Sequence, residues 1–346
     1  MNSYFLKRLL MILPVLGIVL LLTMILGHYA GEIPPYLLED DTKRAYSEEQ
    51  IEQYKEKSGL NEPFFYISIN KKGDKSFYYP QIEWNSSKNR FHRYLSNFII
   101  GNLGYSNFYK SNVWDVIKLP ILRTVIINII VLIIVYSAGL YLGFYQVLKQ
   151  KSIIGKSFNV IGQVFYAIPS FWLAILLLWL LANSQNFYLF PTNGWIWNTN
   201  QGIINAILNL SWSLVLPVIC LSFGSVIYIA SIFQQKMTEE TKKSYFKALL
   251  SRGFSRKYIL RKHVFRIALI PVVAVSTDLI PGLISGSVII ESIFNIPGMG
   301  RMAFQAFFTK DFQIIYAITL MATVLTWLNW ILADYIYSKL DPRVQF

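Results

Sequence analysis

The chain has 346 residues and is poor in the groups that carry most enzyme chemistry. It has one cysteine, Cys220, and three histidines, His28, His92 and His263, far apart in the sequence. A lone cysteine inside an apolar run excludes an internal disulfide, and this Cys/His inventory excludes a metal cluster. There is no H-E-x-x-H and no G-x-S-x-G. Gly155-Lys156-Ser157 has the tail of a phosphate-binding loop, but the pattern needs glycine at 150, where the chain has Gln150. An ATPase within this chain is therefore rejected, and no catalytic residue is assigned. Charge is scarce as well: 15% of residues are Asp, Glu, Lys or Arg, against about 25% in soluble domains. From Ser157 to Gln235 there is no Asp, Glu, Lys, Arg or His, a run of 79 residues.

What is present is apolar sequence in long blocks, 54% of the chain. Blocks of about 20 apolar residues are the signature of membrane-spanning helices. Six are expected, at about 9–28, 119–148, 158–182, 211–235, 264–290 and 312–337. The first is read as an uncleaved anchor rather than a signal peptide. Its apolar core is long, and no A-x-A site follows "GHYAGEIPP". The fold class is thus an all-α membrane protein with six spans. Its domains are an anchor over 1–30, an external segment over 31–115, and a five-helix core over 116–346.

The net charge of +13 does not point to nucleic acid, because excess Lys and Arg in a membrane protein marks the cytoplasmic side. The 31–118 segment is balanced, with 12 acidic and 12 basic residues. The 149–157 turn carries Lys149, Lys151 and Lys156 with no acid, the 183–210 loop is uncharged, and the 236–266 loop has ten basic residues against Glu239 and Glu240. This alternation places both termini in the cytoplasm. Within 31–115, "DDTKRAYSEEQIEQYKEKSGL" predicts an exposed helix ending near Gly59. "SINKKGDKSFYYPQIEWNSSKNR" predicts a hairpin-like stretch with turns at Lys72-Gly73-Asp74 and Asn85-Ser86. No internal repeat is evident. Most tryptophans (Trp172, Trp179, Trp195, Trp197, Trp327, Trp330) read as interface anchors or packing.

The strongest local signal is "YFKALLSRGFSRKYILRKHVFRIALIP", Tyr245 to Pro271. Thr238, or a residue just after it, caps a helix running to about Leu250. Tyr245, Ala248, Leu249 and Arg252 then fall at i, i+3, i+4 and i+7 on one face. Gly253 sits where a left-handed residue ends a helix. Ser255 caps a second helix that continues through His263 into the fifth span. A short helix, a hinge and a rigid connection into the membrane suit a handle for a soluble partner. The same pattern suits an amphipathic helix binding anionic lipid.

This segment resembles the EAA loop of ABC-importer permeases of the dipeptide/oligopeptide family, through Tyr245, Ala248, Gly253, Lys262-His263 and "RIALIPVV". The resemblance extends along the chain in "GNLGYS", "YAIPSFWLAILLLWL", "LFPTNGW", "ESIFNIPGMGRMAF" and "DYIYSKLDPRV". It implies a type I importer permease in the bacterial inner membrane. The implied partners are a second permease, two ATPase subunits that carry ATP and Mg, and an extracytoplasmic substrate-binding protein. No cofactor is implied on this chain. Helix 241–253 is the implied coupling element, with Tyr245, Lys247, Ala248, Leu249, Arg252 and Gly253. The family's acidic or polar residue is Lys247 here, its second alanine is Leu249, and "GNLGYS" has Asn102 where aspartate is usual.

Asp278 lies midway along the fifth span, where a carboxylate costs several kcal/mol unless it meets a cavity or partner. Asp278, Pro281, Gly282 and Gly286 are candidates for the translocation path, with ordinary helix packing as the alternative. Glu291, Pro297, Gly298 and Gly300 form a tight loop at the outer end of that span, near the external gate in the family. The competing function is an ion-coupled secondary transporter or channel, which would be expected to show inverted repeats or several intramembrane ionisable residues.

Overall fold

The computed structural model describes residues 7–31, 48–58, 60–72, 79–150, 162, 164–279 and 286–340. It is mostly helical. In chain order the elements are α1 (Ile12–Tyr29), α2 (Glu48–Ser58), β1 (Ile67–Lys72), β2 (Tyr79–Trp84), α3 (Arg90–Ile99), β3 (Tyr105–Ser106), β4 (Ser111–Asn112), α4 (Val113–Leu148) and α5 (Ser170–Leu177). Then follow α6 (Ile203–Thr241), α7 (Ser244–Ser251), α8 (Arg256–Ile259), α9 (Phe265–Leu279), α10 (Val288–Ile293), α11 (Met299–Phe308) and α12 (Phe312–Leu340). Widened π turns extend α5 over Leu178–Ala182 and join α8 to α9 over Leu260–Val264.

Among the described residues four helices are long and apolar enough to cross a membrane: Lys7–Tyr29, Val113–Leu148, Ile203–Thr241 and Phe312–Ile336. These four correspond to the first, second, fourth and sixth of the six expected spans, while the third and fifth fall partly outside the described residues. At the third expected position the described part is a short apolar helix, Ser170–Ala182. At the fifth, α9 is described to Leu279 and α10 begins at Val288, with residues 280–285 outside the described residues. Pro281 and Gly282 lie outside the described residues, and so does the side chain of Asp278 within α9.

The chain divides into two compact units. One comprises residues 1–6, 121–301 and 326–346, the other Lys7–Pro120 and Met302–Leu325. Among the described residues, two hydrophobic clusters belong to the first. Val135, Val147, Ile229, Phe233, Phe246, Leu260 and Val272 build one; Ile127, Leu214, Cys220, Phe294 and Ile296 belong to the other. Helices α4 and α6 approach closely through small residues. A Cβ at Gly143 would lie 2.7 Å from the Ala230 carbonyl oxygen, and one at Gly139 2.8 Å from Ile229. Small residues allow such contact where apolar burial gives little drive, as between helices in lipid.

In the second unit, Leu16, Leu20 and Met24 of α1 meet Phe91 of α3 and Tyr316 and Leu320 of α12. The predicted helix after Asp40 is α2, ending at Ser58; the part of the expectation before Glu48 lies outside the described residues. The predicted hairpin is the antiparallel pair β1–β2, with Ile67 opposite Trp84 and Ile69 opposite Ile82. Its turn at Lys72-Gly73-Asp74 falls largely outside the described residues, whereas Ser86 occupies the left-handed region (φ 50°) as a turn at Asn85-Ser86 requires.

Candidate functional site: the basic loop and a buried carboxylate

The helix expected from Thr238 is in fact two. Thr238 does not cap: its hydroxyl donates to the Gln234 carbonyl at 2.8 Å inside α6, which continues to Thr241 before α7 begins at Ser244. The joint is built on Glu240, which is 1% exposed. Its carboxylate accepts from Lys243 Nζ at 2.5 Å and from the Tyr245 hydroxyl at 3.0 Å, and Lys236 Nζ stands 3.5 Å away. Glu239 accepts from Lys236 at 2.9 Å and 3.0 Å on the exposed side. Burial, then the bond to Glu240, pushes the Tyr245 phenol up from its usual range.

Burial of one face of α7 follows from this joint. Phe246 is 4% exposed, and Tyr245 and Leu249 pack on the same cluster. Lys247, Ala248 and Arg252 are exposed. The four residues expected to share a contact face therefore divide, because the apolar stripe of the helix turns inward. Tyr245 and Leu249 anchor it, and Lys247, Ala248, Leu250 and Arg252 present its outer surface. Gly253 ends the helix with φ +87°, and nothing lies within 4 Å of where a Cβ would stand, as its left-handed role requires. Ser255 caps α8, accepting from the Tyr258 N–H at 3.3 Å. Beyond the turn Phe254 and Tyr258 stack at 5.5 Å and 12°, and Lys262 Nζ lies 5.2 Å from the Tyr258 ring centroid. Leu250, Phe254 and Tyr258 are 42%, 43% and 40% exposed. An apolar tip ringed by Lys247, Arg252, Arg256 and Lys257 thus stands on a helix locked to the bundle.

The second constellation joins α10 and the turn after it to Arg123 and Thr124 of α4. Glu291 is 4% exposed. It accepts from the Thr124 hydroxyl at 2.9 Å and the Arg301 N–H at 2.9 Å. Thr124 in turn accepts from the Met299 N–H at 2.8 Å, and Arg123 donates to the Pro297 carbonyl at 3.2 Å. The glycines are required by this cradle. A Cβ at Gly286 (φ +65°) would fall 2.3 Å from Glu291 Oε1, one at Gly298 2.6 Å from both Glu291 Cδ and Thr124 Oγ1, and one at Gly300 2.7 Å from the Val288 nitrogen. Burial raises the Glu291 carboxyl above its usual range, partly opposed by the bonds from Arg301, Thr124 and Gly300. Glu291, Pro297, Gly298 and Gly300 lie together around this cradle. Gly286, expected with Asp278 on a path, lies against this cradle.

Sequence reasoning passed over Glu240, Thr124 and a third buried carboxylate, Asp311. The last is 5% exposed and accepts from the Ser106 hydroxyl at 2.5 Å; burial raises it too. Only Glu240 had a readable signal, the i−4 and i+3 lysines at 236 and 243. Asn102 accepts from the Gly104 N–H at 3.0 Å, a local turn bond with no ion pair needed. Among the described residues no group of three His, Cys, Asp or Glu is placed to hold a metal ion.

Residues 135–346 match the family model of the binding-protein-dependent transport system inner membrane component. The oligopeptide transport system permease protein AppB of Bacillus subtilis is 28% identical, covering 100% of both chains. The oligopeptide permease protein OppB of Haemophilus influenzae is 27% identical, again over 100% of both. The peptidoglycan transport system permease protein YejB of Agrobacterium fabrum is 28% identical over 74% of this chain and 71% of its own. A solved MetNI methionine ABC transporter in inward-facing form superposes at a TM-score of 0.47 and 15% identity, covering 65% of this chain and 96% of that one.

Proposed function

Because the chain belongs to the family of binding-protein-dependent transport system inner membrane components, we propose that it is the permease subunit of an ATP-driven importer of di- or oligopeptides. Full-length similarity to oligopeptide permeases supports the substrate class. The observation that carries the mechanism is the two-sidedness of α7. Its inner face is tied to α6 through Glu240 and Tyr245, and its outer face is free for a soluble ATPase subunit. A push on Ala248, Leu250 and Arg252 then passes into α6 through the Glu240 joint, and into α9 through Ser255 and the π turn at Leu260–Val264. The loop lies in the cytoplasm, as its charge requires. A second permease completes the path, two ATPases carry ATP and Mg, and an extracytoplasmic binding protein delivers peptide. Asp278 lines the path and meets the amino terminus or a basic side chain of the passing peptide. The Glu291 cradle is the rigid external gate.

The test is a reconstituted transporter with Cys220→Ser as background. A cysteine at Ala248 should cross-link to the ATPase subunit, and Ala248→Trp should abolish ATP-dependent peptide uptake while the chain still reaches the membrane. Peptide uptake by this chain without ATPases, driven by an ion gradient, would overturn the reading in favour of a secondary transporter. Asp278→Leu should slow cationic peptides more than acidic ones; equal rates would remove Asp278 from the path.

A further inference from the structure

The β1–β2 hairpin has an uncovered apolar side. Ile67, Ile69, Ile82 and Trp84 are 49%, 69%, 74% and 71% exposed. The register pairs Ile67 with Trp84 and Ile69 with Ile82, and alternate residues of a strand share a face, so all four stand on one side. Ser68 and Glu83, also paired, stand on the other. A two-stranded sheet is marginal in water on its own, and four large apolar side chains in one patch signal a contact surface.

What covers the patch follows from where the hairpin is rooted. Trp84 stacks on Tyr66 at 6.0 Å and 23°. Tyr66 meets Phe91 at 6.0 Å, and the Phe91 ring lies 3.7 Å from a Cβ position at Gly17. Gly17 is near the middle of the apolar Lys7–Tyr29 helix, mean hydropathy 3.0. The same helix exposes Leu13, Ile18, Leu22 and Leu26, the side chains of a lipid-facing surface. Polar groups beside the root have partners within the lobe. Arg93 pairs with Glu62 at 2.5 Å, the Tyr66 hydroxyl with His92 Nδ1 at 2.9 Å, and Arg90 is 4% exposed and 5.8 Å from the Phe64 centroid.

We propose that the Ile67–Ile69–Ile82–Trp84 face is a lipid-contact surface that seats the lobe against the bilayer. Ser68 and Glu83 then face away from the acyl chains.

The experiment uses the full chain in nanodiscs of phosphatidylcholine and phosphatidylglycerol, on the Cys220→Ser background. Spin labels at Ile69→Cys and Ile82→Cys should collide several-fold more often with oxygen than with a water-soluble nickel chelate, and a label at Glu83→Cys should show the reverse preference. Brominated lipids should quench wild-type tryptophan fluorescence more than that of Trp84→Phe, a variant that adds no polar group. Nickel access at Ile69 and Ile82 equal to that at Glu83 would overturn the proposal. So would shielding of these sites that appears only when a binding protein is added, which would make the face a protein dock.

Discussion

Gly298→Ala is a sharp test of the Glu291 cradle. The new Cβ would sit 2.6 Å from Glu291 Cδ and from Thr124 Oγ1, and 2.7 Å from Glu291 Oε1. Glu291 and Thr124 are 4% and 1% exposed, so neither can swing into open space. Overpacking a filled site costs about 1–3 kcal/mol. Pushing Thr124 away also breaks its bonds to Glu291 and Met299, and leaving such buried groups unpaired costs about 1–3 kcal/mol more. The sum, about 2–6 kcal/mol, lowers the melting temperature by several degrees. The chain supplies its own probe. Cys220 is its single thiol and is 2% exposed, so a thiol-reactive dye reports unfolding in detergent or nanodiscs. Unfolding of this kind is compared at one heating rate, since it is governed by kinetics. Gly224→Ala is the control, because nothing lies within 4 Å of its added Cβ and a helix-interior alanine gains about 0.5–1 kcal/mol over glycine. The double variant Thr124→Ala/Gly298→Ala should be less destabilised than the sum of its singles, since one clashing atom is gone. A Gly298→Ala protein that melts with the wild type, or strict additivity of the pair, would refute the cradle.

Glu240→Ala should uncouple α7 from α6. ATPase co-purification is expected to persist while peptide uptake falls at least tenfold, and equal uptake would remove Glu240 from the force path. Gly253→Ala places an L residue at φ +87° and should cost about 1 kcal/mol, with Gly253→Asn costing less; the thiol-dye melt orders the two, and identical melts would count against the left-handed cap. Glu291 and Asp311 have folded carboxyls held above their usual range by burial. Their contribution is full below the unfolded pKa and is lost as pH rises through the raised folded one, so stability should fall from mildly acidic toward neutral pH. Glu291→Gln and Asp311→Asn should each flatten that slope in melts taken across pH, and unchanged slopes would argue against the shift.

How far the sequence could be read depended on the range of the interaction. Gly253, Ser255 and the β1–β2 hairpin were legible because a cap or a turn is settled within a few residues. Thr238 misled because a hydroxyl near a helix end bonds equally well to the carbonyl four residues back, and the helix simply continued. Ala248 and Leu249 were placed on one face by periodicity, but which side of α7 turned inward depended on Glu240 and Phe246 meeting the bundle.

Composition alone determined that the chain is a membrane protein, since long uncharged runs have no favourable place in water. Motif order along the chain determined its family. Only tertiary structure decided which carboxylates are buried. Thr124 and Glu291 lie 167 positions apart, and Ser106 and Asp311 205 apart. Glu291 and Asp311 leave water because such distant donors converge on them, and no local pattern encodes that convergence, whereas the partners of Glu240 lie within five residues of it.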